Sequence, residues 1–580
     1  MVALYASGVA AGNPKSAGPK YHDEVKKKYD YRFGANPWLP SQAKNESGEF
    51  TSAKDFPTAA YCAKCHEDAH RQWRESAHSN SFRAPFYKRN VDILNNTKGI
   101  EFSRHCEGCH NPTALFSGSL SKGSKLDRSF DEDGVTCMNC HSIQSIQNTS
   151  GIGSYVMGTP AVMVDESGKP VPGLASFDEI LANPKRHGAA VMKDFYRTSE
   201  FCAVCHKAAV PKQLNDYKWL RAFSVYDEWQ NSSYAKESPL PFYTKDVVST
   251  CQTCHMKAFP VENDYGAKAG QLKSHRWLGA HTAIPIFYGF DEQLKQTIQF
   301  LKDDLLNVDI FAMTRGDSGE LIAPLDKQGF TLTPGEDLTV SVYIQNKGIG
   351  HSLVPEQRDF YESWVEFKVT DAAGKVITHS GFLKPDNYLD DRAHVYINRI
   401  VGREGKFLDL HQVWLTRIRA FDSTILPGRS DLVRYRFTLP DGLQGPIEVS
   451  AKVNYRRFRQ GWVDYVLQKK GVMYPVVLMA GKSLKLNLGE NPGSTEPADQ
   501  KEMLRWNNYG IALLGQQQYA KAAAAFTRVV EINPKYVEGY VNIAVAQYSY
   551  EKYGAAMVHL EKALTMRPGD PRAVYFHASI

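Results

Sequence analysis

The sequence predicts a multidomain protein with three architectures in series: a mainly α and irregular region packed around cofactors, an antiparallel β-sandwich, and an α-helical repeat. Three observations predict it. All ten cysteines fall into five Cys-x-x-Cys-His motifs between Cys62 and His255. Apolar residues then alternate with period two through residues 306–487. Last, aromatic, small and proline positions recur with a 34-residue spacing from Trp506 to Pro568.

The chain has 580 residues, with 42% apolar and 23% charged, the balance of a soluble globular protein. No stretch approaches the run of about 18 apolar residues that a membrane-spanning helix needs; the longest is the short one around Val476 to Ala480. Residues 1–50 read as an N-terminal arm. It opens either with the remnant of an export signal, cleavable at Val9-Ala10-Ala11, or with a plain N-terminal segment. Residues 12–50 are rich in lysine, tyrosine and proline and are expected to lie extended over the next domain.

The motifs occupy residues 51–305. They are Cys62-Ala-Lys-Cys65-His66, Cys106-Glu-Gly-Cys109-His110, Cys137-Met-Asn-Cys140-His141, Cys202-Ala-Val-Cys205-His206 and Cys251-Gln-Thr-Cys254-His255. Two thiols at this spacing add across the two vinyl groups of one haem, and the next histidine ligates the iron. Zinc uses such pairs two at a time and needs no histidine after each, and thioredoxin-like sites use one pair. The reading is therefore five covalently attached haems c, with His66, His110, His141, His206 and His255 as proximal iron ligands. Attachment of this kind takes place outside the cytoplasmic membrane, so the chain is expected in the periplasm or outside the cell. At roughly 40 residues per motif the porphyrins form much of the core, leaving short helices and long loops.

The formal charge of +6 would favour an anionic partner, but the propionates of five haems outweigh it, so no nucleic-acid partner is expected. Thirteen further histidines are available for the distal side of each iron. His78, His105, His187, His275, His281 and His351 are the candidates, with His22, His70, His379, His394 and His411 as alternatives. His559 and His577 read as surface residues of the tail. An iron with two histidines suits electron transfer, and one without its sixth ligand can activate a substrate. No catalytic residue is assigned, and no Cys-x-x-Cys-Lys motif, which marks the catalytic haem of pentahaem nitrite reductases, occurs.

Leu294, Ile298 and Leu301 give a connecting helix over 291–305. In the β region, Val340, Val342 and Ile344 alternate with polar residues, as do Val365, Phe367 and Val369, then Val433, Tyr435 and Phe437, and the run Ile447 to Tyr455. Residues 488–499 have linker composition, and Asp499 with Glu502 reads as a helix-capping pair. In residues 500–580, Trp506, Gly510, Tyr519, Ala522, Phe526 and Pro534 are followed 34 residues on by Tyr540, Ala544, Tyr553, Ala556, Leu560 and Pro568. That is the tetratricopeptide pattern. It implies protein docking or self-association, with a purely structural cap as the other reading.

The stretch from Tyr61-Cys62 through Trp73-x-x-Ser76-x-His78, and the late Cys251 to Met256 followed by His275 and His281, resemble a multihaem cytochrome family. That family includes the tetrahaem electron acceptor of hydroxylamine oxidoreductase. The resemblance covers about residues 55–285. It implies stacked haem pairs, mostly bis-histidine, in the periplasm. Gly350-His351 and Arg358-Asp359 resemble β-domains appended to such cytochromes. The fifth motif and the two later domains depart from the tetrahaem pattern. The expected role is electron transfer between redox protein partners through exposed haems. The alternatives are an oxidoreductase with an open haem acting on a small nitrogen or sulfur compound, and a subunit of an extracellular cytochrome filament.

Overall fold

The computed structural model describes residues 18–580; the Val9-Ala10-Ala11 site lies outside the described residues. The chain forms two compact units that are not contiguous in sequence. The first comprises the residues up to Ala222 together with Cys251–Leu278, and the second comprises Phe223–Thr250 with Gly279–Ile580. The excursion Phe223–Thr250 thus lies inside the 51–305 stretch but packs with the second unit.

Each motif of the first unit sits on or beside a helix of one or two turns: Ala59–Cys62, Arg104–His110, Cys137–His141, Ser199–Ala203 and Cys251–His255. Local capping starts two of them. The Thr58 hydroxyl accepts the Tyr61 N–H at 3.2 Å. Thr136 and Asn139 cap each other reciprocally, at 3.3 and 2.9 Å. The longest helix described in this unit is Pro85–Thr97. Residues 18–50 do not lie extended over the surface. They form the helix Gly18–Lys26 and a short strand, Lys44–Asn45, that pairs in parallel with Tyr155–Met157. Trp38 and Ala43 enter a core cluster with Phe56, Leu115, Phe116 and Tyr155. Arg104 pins this segment: its guanidinium donates to the Asp30 carbonyl at 2.7 Å and lies 4.2 Å from the Tyr29 ring centre. Burying so many aromatic side chains outweighs the lysines as a determinant of where the segment goes.

The second unit begins with the excursion and continues through the helices Ala283–Tyr288 and Asp291–Leu301. Two antiparallel sheets follow. One has the strand order Leu321–Ile322, Leu306–Arg315, Asp337–Asn346, Ser430–Thr438. The other runs Val376–Ser380, Glu362–Thr370, Ile447–Arg456, Val477–Leu486, with His394–Val395 also paired to Glu362–Thr370. Phe367 of one sheet stacks on Tyr435 of the other, with ring centres 4.1 Å apart. Buried residues alternate from Ile447 to Val453, as the period-two pattern requires, and the end of the strand is buried on both sides.

Helices Gln500–Gly515, Tyr519–Ile532, Val537–Ser549, Tyr553–Met566 and Pro571–Ser579 complete the unit. Asp499 caps the first by accepting the Glu502 N–H at 2.8 Å. Gly510 is required by close approach, since a Cβ there would meet the Phe526 ring at 2.5 Å. The helices are fused to the first sheet. Trp506 and Tyr509 pack on Phe311 with ring centres 4.9 and 4.6 Å away, and Arg505 pairs with Asp309 and Asp326, each at 2.7 Å. Among the described residues no helix is long and apolar enough to cross a membrane.

Candidate haem sites

Four of the five motif histidines turn Nδ1 away from the motif in the same manner. Nδ1 of His66 donates to the Asp264 carboxylate at 2.9 Å, that of His110 to the Ser81 carbonyl at 3.2 Å, that of His141 to the Val191 carbonyl at 2.7 Å, and that of His255 to the Leu278 carbonyl at 2.5 Å. A proton held on Nδ1 leaves the lone pair on Nε2, the tautomer that an iron ligand needs. Asp264 is fixed in turn. Its side chain is fully buried and also accepts the backbone N–H groups of Ala69 and Gly266, at 3.1 and 2.8 Å. Burial raises the pKa of Asp264, but these hydrogen bonds more than offset it and hold the carboxyl below its ordinary value.

Two further histidines lie close to motif histidines. His187 stands opposite His66 with ring centres 6.2 Å apart and planes 18° from parallel. Its Nδ1 donates to the Val162 carbonyl at 2.7 Å, so it also presents Nε2. His78 stands opposite His206 at 6.1 Å, with the planes at 84°. With the two Nε2 atoms turned toward each other, half of such a separation, about 3.1 Å, less about 1.1 Å from ring centre to nitrogen, would leave about 2 Å, a metal–imidazole bond length. The residues therefore fit an iron held between two imidazoles in both places.

His105 and His275 are buried, and desolvation depresses each to a pKa of about 4; for His275 the neighbouring His141 adds to the effect. Both stay neutral, as a ligand must. Nδ1 of His275 donates to the Lys273 carbonyl at 2.9 Å. His281 and His351 belong to the second unit. Burial depresses both, with Arg457 contributing at His281. At His281, Nδ1 accepts the Ile284 N–H at 3.2 Å, the opposite polarity to the motif histidines. Nδ1 of His351 donates to the Ser352 carbonyl at 3.2 Å.

The ten cysteines form no disulfide. Contacts between motifs are close. The Cys62 sulfur neighbours that of Cys137, Cys109 that of Cys205, and Cys202 that of Cys251, with Cys140 near Cys202 and Cys205. Sequence reasoning missed Asp264. Its only local signal is an Asp-x-Gly turn, which is common in loops.

The family described as "Cytochrome c554 and c-prime" matches residues 61–142, which hold the first three motifs, and a tetratricopeptide repeat family matches residues 513–580. No curated protein matches the chain. Among solved structures, a penta-heme cytochrome c552 from Thermochromatium tepidum is similar at 16% identity and a TM-score of 0.47, over 75% of this chain and 100% of that one. The second TPR domain of the human RPAP3 protein, in complex with an HSP70 peptide, is similar at 23% identity and a TM-score of 0.13, over 13% of this chain and 64% of that one. The motifs and the family matches make the chain a multihaem c-type cytochrome that carries haem c, with a β-rich middle region and a tetratricopeptide tail.

Proposed function

We propose that the chain binds five haems c and passes electrons along them outside the cytoplasm. When bound, the haem irons supply one-electron exchange between ferric and ferrous states. The ring pairs His66–His187 and His78–His206 carry the reading, because each pair would hold one iron through two imidazoles, which suits electron transfer. The cysteines Cys62, Cys65, Cys106, Cys109, Cys137, Cys140, Cys202, Cys205, Cys251 and Cys254 are the attachment points. The sulfur contacts support an order in which the first motif adjoins the third, the third adjoins the fourth, and the second and fifth both adjoin the fourth. The protein's part is to fix tautomers through Nδ1, to exclude water from the ligands, and to set each site's charge, with Asp264 the most direct example. The tetratricopeptide tail serves protein interaction.

The test is haem quantification with magnetic resonance on the ferric protein. Five haems per chain, with low-spin signals for both histidine pairs, are expected. A lower haem count, or high-spin iron at either pair, overturns the assignment.

A further inference from the structure

The first helices of successive repeats, Gln500–Gly515, Val537–Ser549 and Pro571–Ser579, share a buried polar ladder. The Arg572 guanidinium donates to the Asn542 side-chain carbonyl, and Asn542 Nδ2 donates to Asn507 Oδ1 at 2.7 Å. Asn507 Nδ2 then donates to the hydroxyl of Tyr243 at 2.9 Å, and that hydroxyl donates to Asn508 Oδ1. Tyr243 is not part of the repeats. It belongs to the excursion, in a stretch after Ala235 that has neither helix nor strand. Beside it, Phe242 is 5% exposed and packs in one cluster with Met503, Trp506, Tyr509 and Ile543. The Arg572 guanidinium lies 4.4 Å from its ring centre and that of Arg429 5.5 Å. Leu240 before the pair and Val247 after it are exposed. Two adjacent aromatic side chains insert while the flanking chain stays outside, which is how a short linear motif is held in a groove.

We propose that the inner face of the repeats is a peptide-binding groove selective for an aromatic residue followed by tyrosine, and that the chain's own Phe242–Tyr243 occupies it in the resting protein. The selectivity has two sources. Two guanidinium groups favour an aromatic face at the first position. Asn507 and Asn508 together demand a hydroxyl that both accepts and donates at the second, because an amide buried without its hydrogen-bond partner is destabilising. A partner peptide of this chemistry reaches the groove by displacing a segment whose release breaks no helix or strand. The inference rests on the docking role proposed for the tail and gives it a ligand class. Haem content and ligation report on electron transfer separately, so failure of one reading is distinguishable from failure of the other.

The test uses the full-length holoprotein and a labelled synthetic peptide spanning residues 238–246. The wild-type protein is expected not to bind it. A Phe242→Ala/Tyr243→Ala variant with an unchanged haem spectrum is expected to bind it at least tenfold more tightly than the wild type does. Equal binding to both proteins, or binding to neither, overturns the proposal. Should the double variant fail to fold, Tyr243→Phe keeps the ring and removes only the hydroxyl. Hydrogen exchange at residues 240–247 is then expected to rise roughly tenfold, the effect of about one buried hydrogen bond. Unchanged exchange there overturns the proposal as well.

Discussion

Replacing His187 by alanine removes one imidazole from a pair whose geometry is fixed from both sides. His66 is tied to Asp264 and His187 to the Val162 carbonyl, so neither ring can rotate freely to compensate. With the two Nε2 atoms turned toward each other, the separation of 6.2 Å would leave about 2 Å from each nitrogen to a shared centre. With one nitrogen gone, the next donor would have to come from water or from outside the pair. The expected consequence is a high-spin ferric signal amounting to about one-fifth of the iron, with the remaining haems unchanged. Cyanide should restore a low-spin spectrum at that site. The cost in folding is small, about 1 kcal/mol for the lost hydrogen bond to Val162. The parallel ring planes at this site separate the two iron orbitals that overlap the imidazole π systems, whereas the perpendicular planes of His78 and His206 leave them close in energy. His187→Ala should therefore remove the rhombic low-spin signal and leave the signal of largest g intact. A fully low-spin spectrum after the substitution would refute the pairing, and loss of the large-g signal instead would refute the assignment of the ring angles.

Asp264→Asn removes a buried negative charge from Nδ1 of His66 and should raise the potential of one haem by on the order of 60 mV, a tenfold shift for one electron; potentiometric titration with the other four haems unmoved is the check. Gly510→Ala places a methyl group 2.5 Å from the Phe526 ring. Thermal unfolding of the tail should show a net loss of about 1–2 kcal/mol, because overpacking outweighs the gain in helix propensity. Glu228→Ala removes one of the two carboxylates paired with Arg358, the one at 2.6 Å, and deprives Ser352 of the acceptor of two hydrogen bonds. The Arg358 side chain is 4% exposed and keeps Asp422, so a loss of about 2 kcal/mol is expected in denaturant unfolding, with haem spectra unchanged.

The features written locally in the sequence were the legible ones. The spacing of two cysteines and a histidine sets a turn of helix wherever it occurs, and period-two alternation marks the strands at Val340 to Ile344 and Ile447 to Tyr455; the sides of the second differ in burial as far as Val453, whereas the first is buried on both sides, with Tyr343 packed in one cluster with Trp506 and Tyr509. The repeat was legible because Gly510 and Phe526 need each other. Pairings set by the path of the chain were hidden. Nothing around His78 points to His206 rather than to another motif, and nothing around Asp264 points to His66, because each contact depends on how the chain returns. The same holds for Phe242 and Tyr243. Their setting, Pro239-Leu-Pro241-Phe242-Tyr243, reads as an exposed proline-rich turn, and only the asparagines of distant helices make its aromatic residues interior. Residues 18–50 were misleading for the opposite reason, since their lysines suggested a solvated arm while Trp38 and Ala43 decided the outcome.

The chain leaves its first unit at Phe223, returns at Cys251 and leaves again at Gly279. During synthesis all five cysteine pairs emerge before any of the strands and helices that shelter the excursion. A polypeptide cut short after Leu278 keeps every attachment motif, yet it leaves Tyr226, Trp229 and Phe242 in water with no surface to cover them. Such a fragment would be a target for chaperones and proteases rather than a smaller cytochrome. Shortening this protein to its electron-carrying part means bridging Ala222 to Cys251 with a new loop, not choosing a new stop codon.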